Sequence, residues 1–269
     1  MKVWFITGTS RGFGREWALA ALRRGDKVAA TARHTDTLED LVHEFGDSVL
    51  PLQLDVTDRA ADFAGVQRAA EHFGRLDVVV NNAGYGLFGA VEEVSEAEAR
   101  AQLETNLFGA LWVTQAALPI MRGQGSGHIL QVSSIGGIAA FPAVGLYHAS
   151  KWALEGFSDA MSQEVAQFGI KVTIIEPGGF ETDWAGSSAA HAVENPVYNT
   201  IRNSRPSTNS KRGDPKASAE AILKVVDSED PPLRLLLGAF ASNYVKDLYP
   251  KRLATWAAWD AVSIAADGE

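Results

Sequence analysis

A tyrosine and a lysine four residues apart carry the strongest hint of chemistry in this chain. They stand in the run Tyr147-His148-Ala149-Ser150-Lys151, with Ser134 a short way upstream. Ala149, Lys151, Ala153 and Leu154 favour a helix here, and in a helix residues four apart lie one above the other on the same face. A phenol held beside an ammonium is a proton donor able to work near neutral pH. A free Tyr titrates near ~10, and bringing it to ~7–8 needs roughly 3–4 kcal/mol of differential stabilisation. One positive charge at ~4 Å supplies about 4 kcal/mol at an effective dielectric of ~20. The pair suffices in principle. The same spacing also arises by chance on many helices, as a surface Tyr and Lys, so the rest of the chain has to decide.

A second constellation stands near the start. Thr7-Gly8-Thr9-Ser10-Arg11-Gly12-Phe13-Gly14 follows an apolar run and opens an amphipathic one. Gly8, Gly12 and Gly14 permit a tight turn and close approach of backbone to a pyrophosphate, and the helix N-terminus adds free N–H groups and positive dipole. The glycine spacing is GxxxGxG rather than the commoner GxGxxG, and an ordinary strand-to-helix turn is the bland alternative. Cofactor choice is read at the end of the second strand, where an Asp or Glu would bond a ribose 2′-hydroxyl. This chain has Ala32 followed by Arg33, with Arg11 in the glycine loop. Two guanidinium groups suit the 2′-phosphate of NADP, so NADP(H) is favoured over NAD(H). Asp36 is the competing carboxylate, but its spacing to Glu39 fits a helix capping box. Asp55, followed by Val56 at the end of the third strand, is placed to accept from an adenine amino group or to cap the next helix.

The elements that must position these groups alternate. Apolar runs at 3–7, 27–32, 49–54, 78–81, 128–132, 171–175 and 233–237 predict strands. Amphipathic runs at 13–24, from 36 onward, 59–73, 96–121, 147–168 and 217–226 predict helices, the long fourth one broken by Gly123-Gln124-Gly125. Such alternation implies a mostly parallel sheet covered on both faces. The strand runs are apolar throughout, as expected when both faces are buried. Residues 186–216, rich in Ser, Asn, Pro and small residues, stand apart as a floppy insertion or a mobile cover over a site. The basic cluster Lys211-Arg212 with Lys216 reads as a solvated loop.

Composition narrows the function class. Among 269 residues, 46% are hydrophobic, with seven Trp and 25 Gly, which suits a sizeable core with many turns. There is no cysteine, which excludes disulfides and thiol catalysis, and six scattered His show no metal-ligand spacing. A net charge of −9 argues against nucleic acid or an anionic membrane as main partner. The first residues lack a signal-peptide pattern, and no apolar run approaches the ~20 residues of a membrane helix. A soluble, cytoplasmic protein is expected.

After the fourth strand comes Asn81-Asn82-Ala83-Gly84. Together with TGxxxGxG, Ser134, YxxxK and Pro177-Gly178, in that order over residues 7–182, the chain resembles the short-chain dehydrogenase/reductase family in its single-domain form. That resemblance implies a Rossmann α/β fold, one NAD(P)-binding domain over 1–269, with a seven-stranded parallel sheet in order 3-2-1-4-5-6-7. It implies that Asn82, Ala83 and Gly84 line the cofactor cleft. Asn106 matches the family's fourth catalytic residue, which kinks a helix and holds a water; a buried Asn bonding backbone is the alternative. Ser134, rather than adjacent Ser133, fits the family's spacing. Lys151 would also bond the nicotinamide ribose. Pro177-Gly178-Gly179 with Thr182 resembles the segment bordering the nicotinamide. The runs around NNAGYGLFGAVEEV and YHASKWALEGF look most like the branch holding 17β-hydroxysteroid and retinol dehydrogenases, although that branch also hosts reductases of unrelated substrates. His148, in place of a commoner small residue, is a departure without a stated consequence.

The function expected from this reading is interconversion of a carbonyl and an alcohol with NADP(H). Tyr147 would donate the proton, Ser134 would hold the carbonyl oxygen, and Lys151 would tune the phenol and, through Asn106 and water, connect it to solvent. Tyr85, Leu87, Phe141, Val144 and Trp184 fall in loops after strand ends and would line an apolar substrate pocket, if they are not simply core. His191 could touch substrate or lie in solvent. An NAD-dependent alcohol dehydrogenase, a catalytically silent NADP-sensing protein, and an epimerase or dehydratase are the competing readings. Relatives commonly form dimers or tetramers, so a homodimer or homotetramer is expected. The apolar faces with Leu107, Leu111 and Trp112, and the tail 239–266 with Trp256 and Trp259, are compatible with either partner or core contacts.

Overall fold

A computed structural model describes residues 1–203 and 212–268. In chain order the elements are β1 (Val3–Ile6), α1 (Gly12–Arg23), β2 (Lys27–Ala32), α2 (Glu39–Phe45), β3 (Val49–Gln53), α3 (Arg59–Phe73), β4 (Val78–Asn81) and β5 (Leu87–Phe88). There follow α4 (Glu96–Leu103), α5 (Gly109–Gln124), β6 (Gly127–Val132), α6 (Gly145–Val165), β7 (Ile170–Pro177) and β8 (Ala190–His191). The chain ends with α7 (Asn199–Asn203), α8 (Pro215–Asp227), β9 (Arg234–Leu237), α9 (Ala239–Ala258) and α10 (Asp260–Ala265).

Seven strands form one parallel sheet in the order β3-β2-β1-β4-β6-β7-β9. With the two-residue strands β5 and β8 set aside, this is the expected 3-2-1-4-5-6-7. The unbroken apolar strands have a direct cause. In β1, Trp4 and Ile6 enter a core shared with Trp17 of α1 and Ile222 of α8, while Phe5 enters the opposite core with Val66 of α3 and Val113 of α5. Every side chain of β1 is buried, on whichever face it points. Parallel strands also bring their carboxyl ends to one edge, so the loops after β1, β4, β6 and β7 meet there.

Local chemistry sets several boundaries. Asp58 accepts from Ala60 N and Ala61 N to start α3, and Gly74, at φ 79°, ends it in the left-handed conformation. Asp55 is therefore not the cap of α3; its Oδ1 accepts from the Thr57 N–H at 3.0 Å and from the Thr57 hydroxyl. The capping box read at Asp36 and Glu39 does not form. A 3₁₀ turn over Thr35–Leu38 precedes α2, its end buried through Leu38, and no side chain caps either piece. A capping box forms instead at Ser95 and Glu98, at the start of α4.

The single long helix expected over 96–121 is three pieces. A π-turn, Glu104–Phe108, separates α4 from α5 and contains buried Asn106. The short strands were not read from the sequence either. Leu87 pairs with Ala190 and Phe88 with His191, tying the segment after β7 to the loop after β4. Further along, Arg202 Nη1 donates to the buried carboxylate of Glu93 at 2.6 Å, and Asn195 N donates to the same oxygen. Lys211 lies outside the described residues, and Lys216 is an exposed residue in the first turn of α8. At the other end, residues 253–268 are exposed throughout, including Trp256 and Trp259.

One buried group makes stability depend on pH. Asp62 is fully buried in α3 and neither carboxyl oxygen has a hydrogen-bond partner. Burial, then repulsion from Asp58 and Asp55, pushes its pKa up to about 8. The folded state thus keeps a proton that the unfolded chain loses near ~3.9. Stability is full below that value, declines as pH rises toward 8, and levels off above it. Asp62→Asn removes this dependence, so the gain in Tm over wild type should be larger at pH 8.5 than at pH 5. An equal gain at both pH values would contradict a neutral Asp62.

Candidate active site

A cavity of about 780 Å³ opens along the carboxyl ends of the strands. Its phosphate end is the turn after β1. Gly8 and Gly12 have φ of +70° and +61°, the left-handed region that glycine enters without penalty. Both line the cavity, as do Ser10, Arg11 and Phe13. Gly14 does not. A Cβ there would lie 2.4 Å from Gly8 O and 2.5 Å from Asn82 Nδ2, so Gly14 serves packing of α1 onto its own turn. Asn82 fixes that turn from the far side, its Nδ2 donating to Thr7 O at 2.8 Å and Gly8 O at 3.0 Å. Thr7 Oγ1 in return accepts from Asn82 N and Ala83 N. Asn82, Ala83, Gly84, Asp55 and Val56 all line the cavity, whereas Asn81 is buried beneath it, donating to Thr114 Oγ1 and Gln131 Oε1. An open glycine turn with an adjacent helix N-terminus and flanking basic side chains fits a dinucleotide.

A side recess of about 370 Å³ is lined by Ser10, Arg11, Ala32, Arg33, His34 and Thr37. Asp36 is exposed and not part of it. Arg11 is engaged elsewhere: its Nη1 donates to Asp183 Oδ2 at 2.7 Å and to Ser187 Oγ at 3.0 Å. The Ser187 and Ser188 hydroxyls, with a smaller contribution from Arg11, hold the Asp183 carboxyl below its ordinary range.

At the other end, Ser134, Tyr147 and Lys151 share the cavity wall with Pro177, Gly178 and Thr182. Tyr147 is 6% exposed and Lys151 5%. Their electrostatics differ from the helix-pair expectation. The Lys151 ammonium donates to Val132 O at 2.7 Å, and burial brings its pKa down to about 8, with Glu155 one turn on opposing the shift. Burial pushes the Tyr147 phenol up to about 12, and a hydrogen bond with Ser134 recovers only part of that. Desolvation outweighs the charge at four residues' distance. Tyr147 is held as a neutral phenol.

Asn106 is 1% exposed and does not line the cavity. Its Oδ1 accepts from Tyr85 N, and its Nδ2 donates to Tyr85 O and Ser150 Oγ. It pins the loop after β4 against α6. A Cβ on Gly84 would lie 3.0 Å from Asn106 Oδ1 and 3.6 Å from Lys151 Nζ, so the three are neighbours.

Above Tyr147 the wall is aromatic. Trp184 packs against the Tyr147 ring at 5.0 Å and Phe88 at 5.2 Å. Gly86 makes room for it, since a Cβ there would be 2.6 Å from the indole. Tyr85, Phe141 and Val144 line the same space, and Leu87 is buried behind it. His191 is exposed, stacked on Phe88 at 5.1 Å and outside the cavity. Phe240, Asp183 and Ser187 line the cavity and were not singled out in the sequence. Arg212 is exposed, as read, and also borders the cavity, because Gly213 bridges to Phe180 and donates to Gly179 O.

A model of the short chain dehydrogenase family matches residues 2–192. The chain belongs to that family. This short-chain dehydrogenase is 46% identical over 271 residues to Oxidoreductase BOA17 of Botryotinia fuckeliana, covering 98% of this chain and 99% of that one. It is 35% identical over 243 residues to a 3-ketodihydrosphingosine reductase of Bacteroides thetaiotaomicron, covering 88% of each. Among solved structures it resembles a short-chain dehydrogenase from Streptomyces avermitilis, with TM-score 0.93, 41% identity, and coverage of 99% of this chain and 100% of that one. An alcohol dehydrogenase from Thermococcus sibiricus complexed with 5-hydroxy-NADP gives TM-score 0.76 at 30% identity, over 88% and 96%. A 3-ketoacyl-(acyl-carrier-protein) reductase of Brucella melitensis complexed with NADH gives 0.74 at 27%, over 87% and 96%. As an oxidoreductase of this family the chain acts on small molecules.

Proposed function

We propose that this short-chain dehydrogenase interconverts a hydrophobic ketone or aldehyde and its alcohol using NADP(H). The observation that carries the reading is one continuous cavity with an open glycine turn at one end and a buried phenol beside a serine at the other. NADPH, when bound, supplies the hydride. Gly8, Ser10, Gly12 and Phe13 would border its pyrophosphate, Asp55 and Val56 its adenine, and Asn82, Ala83 and Gly84 the middle of the cleft. Pro177, Gly178, Thr182 and Lys151 would border its nicotinamide half.

Tyr147 donates its proton to the carbonyl oxygen as negative charge develops there, and Ser134 donates to the same oxygen. A phenol with a pKa of about 12 is a weak acid, yet an alkoxide is more basic still, so the transfer runs downhill. The donor is therefore loaded at any assay pH. Lys151 holds the wall at Val132 O and lends positive charge below about pH 8. Asn106 keeps Tyr85 and α6 in register.

NADP(H) is preferred because the side recess carries Arg11 and Arg33 and, among the described residues, no carboxylate. The aromatic wall of Tyr85, Phe141, Trp184 and Phe240 favours a bulky apolar carbonyl, in keeping with a relative named a 3-ketodihydrosphingosine reductase. Ser187, Ser188 and Ala190 reach the cavity, which supports a covering role for the start of the 186–216 segment, of which residues 204–211 lie outside the described residues. Exposed Trp152 on α6 and Trp256 and Trp259 on the tail support a homodimer or homotetramer.

NADPH absorbance with a panel of aliphatic and aromatic ketones tests the reading, with NADH run alongside. Turnover of apolar ketones with NADPH at least ~10-fold above NADH is expected, from one charge-assisted contact at the 2′-phosphate. NADH equal or faster would favour the NAD-dependent alternative. NADPH binding without turnover of any carbonyl or alcohol would favour a silent sensor.

A further inference from the structure

His148 stands beside the phenol and has no part in the reaction described above. Its ring is 5% exposed, yet both nitrogens are engaged with backbone at separate points of one loop. Nδ1 lies 2.9 Å from Gly136 O, and Nε2 accepts from Phe141 N–H at 2.9 Å. The partners decide the tautomer. A backbone N–H can only donate, so Nε2 must be bare, and a carbonyl can only accept, so Nδ1 must carry the proton. A single neutral imidazole thus bridges residues 136 and 141.

That loop is the one that delivers Ser134. Ser134 Oγ accepts from Gly136 N at 2.9 Å, so the residue whose carbonyl His148 holds also orients the serine hydroxyl through its own N–H. Gly136 lies flat against the helix: a Cβ would be 2.6 Å from His148 Nδ1 and 3.2 Å from Tyr147 Cε1. At the far end, Phe141 forms the apolar wall and packs on His148 and on Tyr244 of α9. Two residues later Ala143 adopts φ 57°, a left-handed conformation unfavourable for a residue with a Cβ. A loop carrying such strain relaxes unless its surroundings hold it.

We propose that His148 is a positioning residue whose Nδ1–H tautomer clamps residues 136 and 141, holding the Ser134 hydroxyl and the Phe141 wall in place beside Tyr147. The proposal rests on the carbonyl–alcohol reading above. A second proton on the ring would set an N–H against the Phe141 N–H, so acid opens the clamp. The titratable groups on the elements packed about the loop are Tyr147, its ring 5.8 Å from the imidazole, Lys151 and Glu155 further along α6, the Glu155 carboxylate beside Gly137, and Arg252 and Tyr244 of α9. Arg252 donates to Ile138 O of the same loop. Burial keeps the imidazole's pKa below its ordinary value, with the hydrogen bond to Gly136 opposing.

The test uses the full chain with three forms: wild type, His148→Ala and His148→Gln. Misplacing a reacting group by about 1 Å costs up to ~10²-fold, so His148→Ala should lower kcat roughly 10–100-fold with NADPH affinity little changed. His148→Gln offers one donor and one acceptor without titrating, so it should recover part of kcat and lose the acid limb that wild type shows below the ordinary imidazole value of ~6.5. Amide hydrogen exchange at Phe141, followed by NMR, should quicken at least ~10-fold in His148→Ala. Should His148→Ala not fold, the glutamine variant carries the comparison. Unchanged kcat and Phe141 protection in His148→Ala, or an acid limb retained in His148→Gln, would overturn the proposal. If wild type reduces no carbonyl, the reaction reading falls, and the clamp is still judged by the Phe141 amide.

Discussion

Tyr147→Phe should abolish carbonyl reduction, with a loss of at least ~10²–10⁴-fold in kcat, the range supplied by a positioned general acid. The substitution removes one oxygen and little else. The ring stays buried at 6% exposure, and its packing against Trp184 at 5.0 Å and His148 at 5.8 Å involves carbon faces that phenylalanine keeps. The glycine turn and Asn82, which would hold the cofactor, do not touch the phenol oxygen, so NADPH binding should persist. Steady-state NADPH oxidation and cofactor fluorescence measured on the same preparation separate the two effects. Burial keeps Tyr147 protonated up to about pH 12, so the reductive rate should show no alkaline limb from the phenol. It should instead decline above about pH 8, where Lys151 loses its charge. Turnover surviving in Tyr147→Phe would mean that another group gives up the proton.

Much of the frame around that phenol can be read from residue order, and the reasons are local. The turn from Gly8 to Gly14 announces itself because left-handed φ at Gly8 and Gly12 and the tight packing of Gly14 each demand glycine. Strands are legible because both faces of β1 are buried, Trp4 and Ile6 on one side and Phe5 on the other. Contacts far apart in sequence leave no such mark. Arg11 meets Asp183 across 172 positions, and β5 meets β8 across about a hundred. His148 reaches two backbone groups, which have no side-chain signature at all. The Asp36–Glu39 spacing satisfied the capping pattern, but spacing does not fix backbone geometry, and the 3₁₀ turn that buries Leu38 took precedence. Tyr147 and Lys151 share one wall as their spacing implied, but the expected lowering of the phenol by the ammonium is opposed for a different reason. Coulomb attraction can be computed from four residues' separation, whereas the burial of both groups, which dominates, is a property of the assembled fold.

The second large effect is expected at the cofactor's phosphate corner. A charge-assisted hydrogen bond contributes ~1.5–3 kcal/mol, so Arg33→Ala should weaken NADPH binding roughly 10–150-fold. NADH, which presents a hydroxyl there, should be nearly unaffected. Arg33 is exposed and free of resolved ion pairs among the described residues, so its removal leaves no buried charge unmatched. Arg11 behaves differently, since its Nη1 is committed to Asp183 and Ser187. That pair is half-exposed, with side-chain exposures of 51% and 34%, and such pairs are screened by solvent and hold weakly. A dianionic phosphate in the recess can therefore draw Arg11 away. Asp183→Asn removes the charge that holds Arg11, leaving the weaker bond to Ser187, and should tighten NADPH by roughly a few-fold, again with little change for NADH. Dissociation constants for both cofactors across the two variants decide the matter. The opposite signs are the discriminating feature: an Arg33 variant that binds NADPH less well beside an Asp183 variant that binds it better. Equal shifts for NADPH and NADH would move the arginines' role from the 2′-phosphate to the pyrophosphate shared by both.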